Sequence, residues 1–115
     1  MRKALVADDD PAILRLVSRW IAEAGYEVRS CSNFEAARRA LDDWRPDILV
    51  SDVRLGDFNG LQLVIHAKAD NPSLAAVVVT GYDDPVLRKD SLAAGAAYLV
   101  KPLKLDDLLA AIDGQ

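Results

Sequence analysis

Short strands and amphipathic helices alternate along this chain, and that alternation restricts the folds it can adopt. Short apolar runs bounded by turn residues are typical of strands buried on both faces of a sheet. The second strand instead alternates between apolar and polar residues, as an edge strand does. The five predicted strands are Ala4–Ala7, Tyr26–Ser30, Asp47–Val50, Ala76–Val79 and Tyr98–Val100. Since strands separated by helices and short loops run parallel, we predict an α/β fold with a doubly wound five-stranded parallel sheet and five helices on its two faces.

Capping residues and helix breakers mark the ends of the predicted helices. Asp10-Pro11 and Asp84-Pro85 each combine an N-cap residue with proline at the first helical position. Ser32-x-x-Glu35 has the pattern of a capping box, which predicts Ser32 as the cap of the second helix. The third and fifth helices are predicted at Leu61–Ala69 and Leu105–Ile112.

Length and charge argue against several classes of protein. A chain of 115 residues is long enough for one domain, which we expect to extend over residues 1–115. The formal net charge of −4 argues against direct binding to nucleic acid or to an anionic membrane surface. The single cysteine, Cys31, excludes an internal disulfide, and no apolar segment is long enough to span a bilayer. We therefore expect a cytoplasmic protein.

Four of the predicted strands are followed directly by residues that can act on a phosphoryl group or a metal ion. Asp8 and Asp9 follow the first strand and Asp52 comes shortly after the third. Thr80 follows the fourth strand and Lys101 follows the fifth. Because the carboxyl ends of parallel strands meet at one edge of the sheet, the sequence predicts a functional site at that edge.

The three carboxylates of this predicted site would repel one another. At about 4 Å and an effective dielectric constant near 20, each contact between like charges costs roughly 4 kcal/mol. Lys101 can supply one positive charge and a divalent cation the rest, and Mg²⁺ prefers oxygen ligands of this kind. We interpret Asp52 as the reactive group, whose carboxylate becomes an acyl phosphate while Thr80 and Lys101 bind the other phosphoryl oxygens.

With these residues in place, the chain resembles the receiver domain of two-component response regulators, the CheY-like superfamily. The resemblance covers essentially the full length. It rests on Ala4–Asp10, on Asp52 with Gly60 eight residues later, on Val79–Gly81 and on Tyr98–Pro102. The resemblance implies a flavodoxin-like sheet with the strand order 2-1-3-4-5.

The resemblance also implies the chemistry of the site. Asp52 would be the phosphoacceptor, which takes its phosphoryl group from a phosphohistidine on a sensor histidine kinase or a histidine phosphotransfer protein. Asp9, Asp52 and the backbone carbonyl of Arg54 would ligate Mg²⁺ directly, and Asp8 would hold it through water. The expected protein is a signalling switch rather than an enzyme, with at most self-catalysed phosphotransfer and dephosphorylation.

Thr80 and Tyr98 would form the switch pair of such a domain. The Thr80 hydroxyl would move toward the phosphoryl group and the Tyr98 ring would follow inward, which would reshape the surface of the fourth helix, fifth strand and fifth helix. That surface would control an unknown downstream protein, and phosphorylation-dependent dimerisation is a possible outcome. The Lys101–Pro102 peptide bond is expected to be cis. Gly56 stands where the family usually has proline, so we expect a looser loop there.

A small Mg²⁺-dependent aspartyl-phosphate phosphatase or phosphotransferase, of the haloacid dehalogenase type, is the alternative function. That class uses two acids two residues apart after the first strand, a spacing that Asp8-x-Asp10 could mimic. Pro11 and the short chain argue against it, because Asp10 beside proline is better explained as a helix cap. Flavin binding on the same type of fold is disfavoured by charge, since the loop after the first strand carries three acids rather than phosphate-binding amides and hydroxyls.

Overall fold

The computed structural model describes all 115 residues, Met1–Gln115. Twelve elements follow one another along the chain: β1 (Lys3–Ala7), α1 (Pro11–Glu23), β2 (Glu27–Cys31), α2 (Phe34–Asp43), β3 (Ile48–Asp52), β4 (Arg54–Leu55), β5 (Phe58–Asn59), α3 (Leu61–Asp70), β6 (Ala75–Thr80), α4 (Pro85–Ala93), β7 (Ala96–Val100) and α5 (Leu105–Asp113). Every predicted strand and helix is present, and the ends of the five strands and of the third and fifth helices lie within two residues of the predicted ones. Asp52 and Thr80 are consequently the last residues of their strands rather than loop residues.

Five strands form one parallel sheet in the order β2-β1-β3-β6-β7. Counted without the small β4-β5 hairpin, this is the predicted order 2-1-3-4-5, so the predicted fold is confirmed. The register aligns the carboxyl ends of the strands. Ala7 lies opposite Ser51, Asp52 opposite Val79, and Thr80 opposite Val100.

The sheet separates two apolar cores, because successive side chains of a strand point to opposite faces. Leu5, Leu49 and Val78 face the core formed with α2 and α3, against which Ala94 after α4 also packs. Their neighbours in the strands face the core formed with α1 and α5. Strands buried on both faces explain the apolar runs in the sequence.

Two of the predicted helix caps are confirmed and one is wrong. Asp10 and Asp84 each accept hydrogen bonds from two backbone N–H groups in the first turn of α1 and α4. The cap of α2 is Asn33 rather than Ser32, since the Asn33 Oδ1 accepts the Ala36 N–H at 2.8 Å. Asn and Ser are equally good N-caps, so the local pattern could not distinguish two adjacent candidates. None of the five helices combines the length and the apolar character needed to cross a membrane.

A short hairpin follows β3 where the sequence indicated only a loop. Arg54 pairs with Asn59 and Leu55 pairs with Phe58 in an antiparallel register. Gly56 and Asp57 form its two-residue turn, and Gly56 has φ +62°. Glycine with positive φ at the first turn position is typical of a type II′ hairpin, and proline could not adopt this conformation. The segment after Asp52 is therefore a hairpin rather than an irregular loop.

Helix α4 is held on the sheet by little apolar surface. Its only fully buried side chain is Ser91, whose hydroxyl has no hydrogen-bond partner. Val86 and Leu92, by contrast, are 67% and 58% exposed. An unpaired buried hydroxyl destabilises the folded state, so α4 is anchored more weakly than a helix with an apolar inner face.

We expect Ser91→Ala to raise the free energy of unfolding by about 1 kcal/mol, because it removes the cost of burying an unpaired hydroxyl. Urea denaturation followed by circular dichroism measures this change. Ser18→Ala is the matched control, since Ser18 is also helical but its hydroxyl is 2.7 Å from that of Ser30. A lower free energy of unfolding for Ser91→Ala would show that the Ser91 hydroxyl stabilises the folded state.

Gly60, which precedes α3, packs directly against the end of β3. A Cβ added to Gly60 would overlap the carbonyl oxygen of Asp52 and lie 2.6 Å from the Ser51 Oγ. We expect Gly60→Ala to lower the free energy of unfolding by about 1–3 kcal/mol, the usual cost of overpacking. In the control Gly81→Ala, the added Cβ has no heavy atom within 4 Å. Equal denaturation midpoints for the two variants would show that this contact is not restrictive.

Candidate functional site

Three carboxylates gather at the carboxyl edge of the sheet. Asp8 and Asp9 follow β1, and Asp52 ends the neighbouring strand β3. One carboxylate oxygen from each lies within 4.8 Å of the others. Asp8 and Asp52 are 4% and 8% exposed, whereas Asp9 is exposed to solvent. The topology therefore brings together the three predicted acids, two of them buried.

The Lys101 side chain reaches this acidic cluster from the end of β7. Its Nζ is 3.5 Å from the Asp8 Oδ2 and 3.4 Å from the Asp52 Oδ2. Its backbone N–H donates to the Thr80 carbonyl at 2.8 Å, which ties the start of this loop to the end of β6. The Lys101–Pro102 peptide bond is cis, as predicted. A single ammonium group thus bridges the two buried carboxylates.

One ammonium does not compensate the charge of the cluster. Burial raises the pKa of the Asp52 carboxyl, repulsion from Asp8 adds to the effect, and Lys101 only partly opposes it. Burial likewise raises the pKa of Asp8, although the Asp10 backbone N–H and Lys101 act in the opposite direction. A further cation bound here would therefore reduce the repulsion among the carboxylates.

The chemistry of the donors fits a hard divalent cation. The side chains of the cluster offer carboxylate oxygens, and Mg²⁺ is typically bound in proteins by one or two carboxylates together with retained water. The side chain of Asp10 does not belong to this set, because it caps α1. The pair of acids that the phosphatase alternative requires is therefore divided between the site and a helix cap.

The Thr80 hydroxyl lies at this edge but is engaged elsewhere. It donates to the Tyr82 carbonyl at 3.0 Å and accepts the Tyr82 N–H at 3.2 Å. These bonds hold the hydroxyl in the turn that follows β6. To bind an oxygen near Asp52, the hydroxyl would have to release the Tyr82 carbonyl.

The Tyr98 ring is already buried, at 8% exposure, beneath the segment between β6 and α4. Its hydroxyl accepts the Asp84 N–H at 2.9 Å and lies 3.3 Å from the Tyr82 carbonyl. The guanidinium of Arg88 lies 4.6 Å from the ring centroid. Thr80 and Tyr98, the predicted switch pair, therefore contact one backbone carbonyl.

The β4-β5 hairpin closes one side of the cluster. It begins with Arg54, two residues after Asp52, and its turn glycine donates its N–H to the Asp9 Oδ2 at 3.3 Å. Sequence reasoning missed this contact by Gly56, because a backbone N–H leaves no signature in residue type. It also missed Arg88, whose position on Tyr98 depends on how α4 packs against β7.

Comparison with known proteins gives a consistent result. Residues 4–113 match the response regulator receiver domain family. The chain is 33% identical over 110 residues to the DNA-binding transcriptional regulator NtrC of Azospirillum brasilense, covering 95% of this chain and 23% of that protein. It is 30% identical over 106 residues to the probable transcriptional regulatory protein TcrX of Mycobacterium tuberculosis, covering 91% of this chain and 45% of that protein. The chain thus spans about a quarter to a half of the length of these relatives.

Solved structures show the same architecture. A CheY-like response regulator receiver domain protein from Methanospirillum hungatei JF-1 superposes with a TM-score of 0.91 at 30% identity, covering 99% of this chain and 92% of that one. A second match is a response regulator from Burkholderia pseudomallei, solved with a phosphorylated aspartic acid, a calcium ion and citrate. It superposes with a TM-score of 0.89 at 27% identity, covering 97% of this chain and 66% of that one. From the match over residues 4–113 and the shared fold, we conclude that the chain belongs to the response regulator receiver domain family.

Proposed function

We propose that Asp52 is the phosphoacceptor of this receiver domain and that its phosphorylation controls the binding of another protein. The observation that carries the proposal is the cluster around Asp52. Asp8 and Asp9 lie beside it, and the Lys101 Nζ is 3.4 Å from its carboxylate. The donor would be a phosphohistidine on a sensor histidine kinase or a histidine phosphotransfer protein.

In the proposed transfer, a carboxylate oxygen of Asp52 attacks the phosphorus atom, an acyl phosphate bond forms, and the phosphorus–nitrogen bond to histidine breaks. Lys101 would bind a phosphoryl oxygen and balance part of its negative charge. Asp8, Asp9, Asp52 and the Arg54 carbonyl would hold Mg²⁺, which supplies the remaining positive charge when bound. Unlike a phosphatase, the domain would not catalyse the repeated hydrolysis of external phosphate esters.

The proposed output begins at the Tyr82 carbonyl. If the Thr80 hydroxyl leaves this carbonyl to bind the phosphoryl group, the Tyr98 hydroxyl remains as the side-chain donor near it, at 3.3 Å. The same Tyr98 hydroxyl accepts the N–H of Asp84, the cap of α4. Phosphorylation would therefore reposition the start of a weakly anchored helix.

The surface of α4, β7 and α5 is the proposed contact for a downstream protein. Tyr82, just before α4, is 80% exposed, and Val86 on α4 is 67% exposed, so apolar surface is available there. Phosphorylation-dependent dimerisation through this surface is one form that the output could take.

The DNA-binding function of NtrC belongs to a protein about four times longer, and we propose such an output only through a further domain. We also propose a cytoplasmic location, which suits a lone free cysteine.

We expect acetyl phosphate with Mg²⁺ to add one phosphoryl group to the wild-type protein and none to Asp52→Asn, because the amide cannot attack phosphorus. Intact-protein mass spectrometry measures the modification. Asp57→Asn is the matched control, since Asp57 is an exposed acid of the neighbouring hairpin turn and should not affect labelling. Equal labelling of wild type and Asp52→Asn would point to another acceptor. Steady hydrolysis of phosphate esters by the wild-type protein would favour the phosphatase alternative.

We expect Asp52→Asn also to raise the free energy of unfolding of the metal-free protein at neutral pH. Because burial raises the pKa of Asp52, the folded wild type carries a disfavoured charge there. As the pH falls through the raised pKa, the folded wild type takes up a proton before the unfolded chain does, so it gains stability and the advantage of the variant shrinks.

Urea denaturation with EDTA from about pH 7 down to about pH 4, the range above the ordinary aspartate pKa, measures this difference. Asp57→Asn, which removes an exposed acid, is the control. A difference between Asp52→Asn and wild type that stays constant with pH would contradict the assigned electrostatic cause.

A further inference from the structure

The two phenylalanines of the chain stack on each other although they are 24 residues apart. The ring centroids of Phe34 and Phe58 are separated by 4.6 Å and the rings are inclined by 14°. Phe34 is the first residue of α2, and Phe58 belongs to the β4-β5 hairpin. The stack therefore joins the hairpin to the start of a helix that packs on the sheet.

The hairpin has few other anchors. Each of its strands has two residues, and an isolated two-stranded hairpin is at best marginally stable in water. Leu55 is inserted in the core at 1% exposure, whereas Phe58 opposite it is 47% exposed. The turn contains Gly56, which adds conformational freedom in the unfolded and partly open states. In the outer strand, the Asn59 Oδ1 accepts the Leu61 N–H at 2.8 Å, a local bond to the start of α3. The aromatic stack is the contact that joins this strand to α2.

The hairpin in turn contacts the acidic cluster. The Gly56 N–H donates to the Asp9 Oδ2 at 3.3 Å, and Asp9 is the solvent-exposed member of the cluster. Both phenylalanines, Gly56 and Asp9 line one shallow cleft beside the site. The stack, the hairpin turn and the exposed carboxylate are therefore consecutive links of one set of contacts.

We propose that Phe34 and Phe58 are positioning residues for the divalent cation site. The stack fixes the hairpin so that its turn N–H orients the Asp9 carboxylate and its first residue, Arg54, stays next to Asp52. A site that is ordered before binding loses less conformational entropy when the ion arrives. The inference rests on the proposed function, because it concerns the magnesium ion that the cluster would hold.

Isothermal titration calorimetry with Mg²⁺ tests the proposal directly on the whole chain. Phe58→Ala should weaken Mg²⁺ binding on the order of tenfold, the lower end of the effect of supporting residues around metal ligands. Phe58→Tyr keeps a ring that can stack and should retain wild-type affinity. Phe34→Ala should match Phe58→Ala, and the double variant should be no weaker than either, because one stack is lost in each case.

Ile65→Ala is the matched control, since Ile65 is 57% exposed on α3 and its truncation also removes exposed apolar surface. It should bind Mg²⁺ as the wild type does. Urea denaturation of each variant establishes that the titrations are carried out on folded protein.

Labelling by acetyl phosphate at increasing Mg²⁺ gives a second measurement. For Phe58→Ala, the Mg²⁺ concentration at half-maximal labelling should rise by the same factor as the dissociation constant, with the final extent unchanged. If the wild type binds Mg²⁺ and both alanine variants bind it with unchanged affinity, this inference is wrong and the proposed function is unaffected. A loss of labelling that saturating Mg²⁺ does not restore would also overturn this inference. Failure of the wild type itself to bind Mg²⁺ would overturn the proposed function as well.

Discussion

Negative charge confined at the edge of the sheet is the constraint on which the rest of this structure depends. Asp8 and Asp52 are nearly buried, and Asp9 adds a third carboxylate within reach of both. Such an arrangement opposes folding unless positive charge enters it, since a buried carboxylate without a partner is costly. Lys101 supplies one positive charge for three carboxylates, and burial raises the pKa of both Asp8 and Asp52 even though Lys101 acts in the opposite direction. The fold thus maintains a site whose electrostatics favour a cation.

Parallel topology is what assembles this site from distant parts of the chain. Asp8 follows β1 and Asp52 ends β3, which are neighbours in the sheet although they are far apart in sequence. Lys101 follows β7, beyond the intervening strand β6, and only a long side chain can span that strand to reach Asp52. Thr80 ends the strand that Lys101 crosses. Each side chain therefore needs only a position at the end of a strand, and the sheet supplies the proximity.

Two short segments connect the acidic cluster with the surface of the molecule. On one side, the Tyr82 carbonyl lies within hydrogen-bonding distance of the hydroxyls of Thr80 and Tyr98, next to a helix whose inner face contains an unpaired serine. On the other side, the hairpin turn holds Asp9 and is itself held by the stack of Phe34 and Phe58. The first segment joins the edge of the sheet at Thr80 to the start of α4. The second links a pair of aromatic rings to the geometry of the cluster.

The sequence by itself determined the strands, the helices, their parallel arrangement and the acids, hydroxyl and lysine at the strand ends. These features are local, because hydrophobic period, caps and breakers act within a few residues. Only the tertiary structure decided that Asn33 caps α2, that residues 54–59 form a hairpin, and that Gly56 contacts Asp9. It also decided that the Thr80 hydroxyl is bound to Tyr82 and that the two phenylalanines stack. The Gly56–Asp9 contact and the aromatic stack join segments that are remote in the chain, and residue type alone does not encode the distance between such segments. The Asn33 cap, the hairpin and the Thr80–Tyr82 bonds are local, but neighbouring residues offer equivalent caps and turns, and the packed structure selects among them.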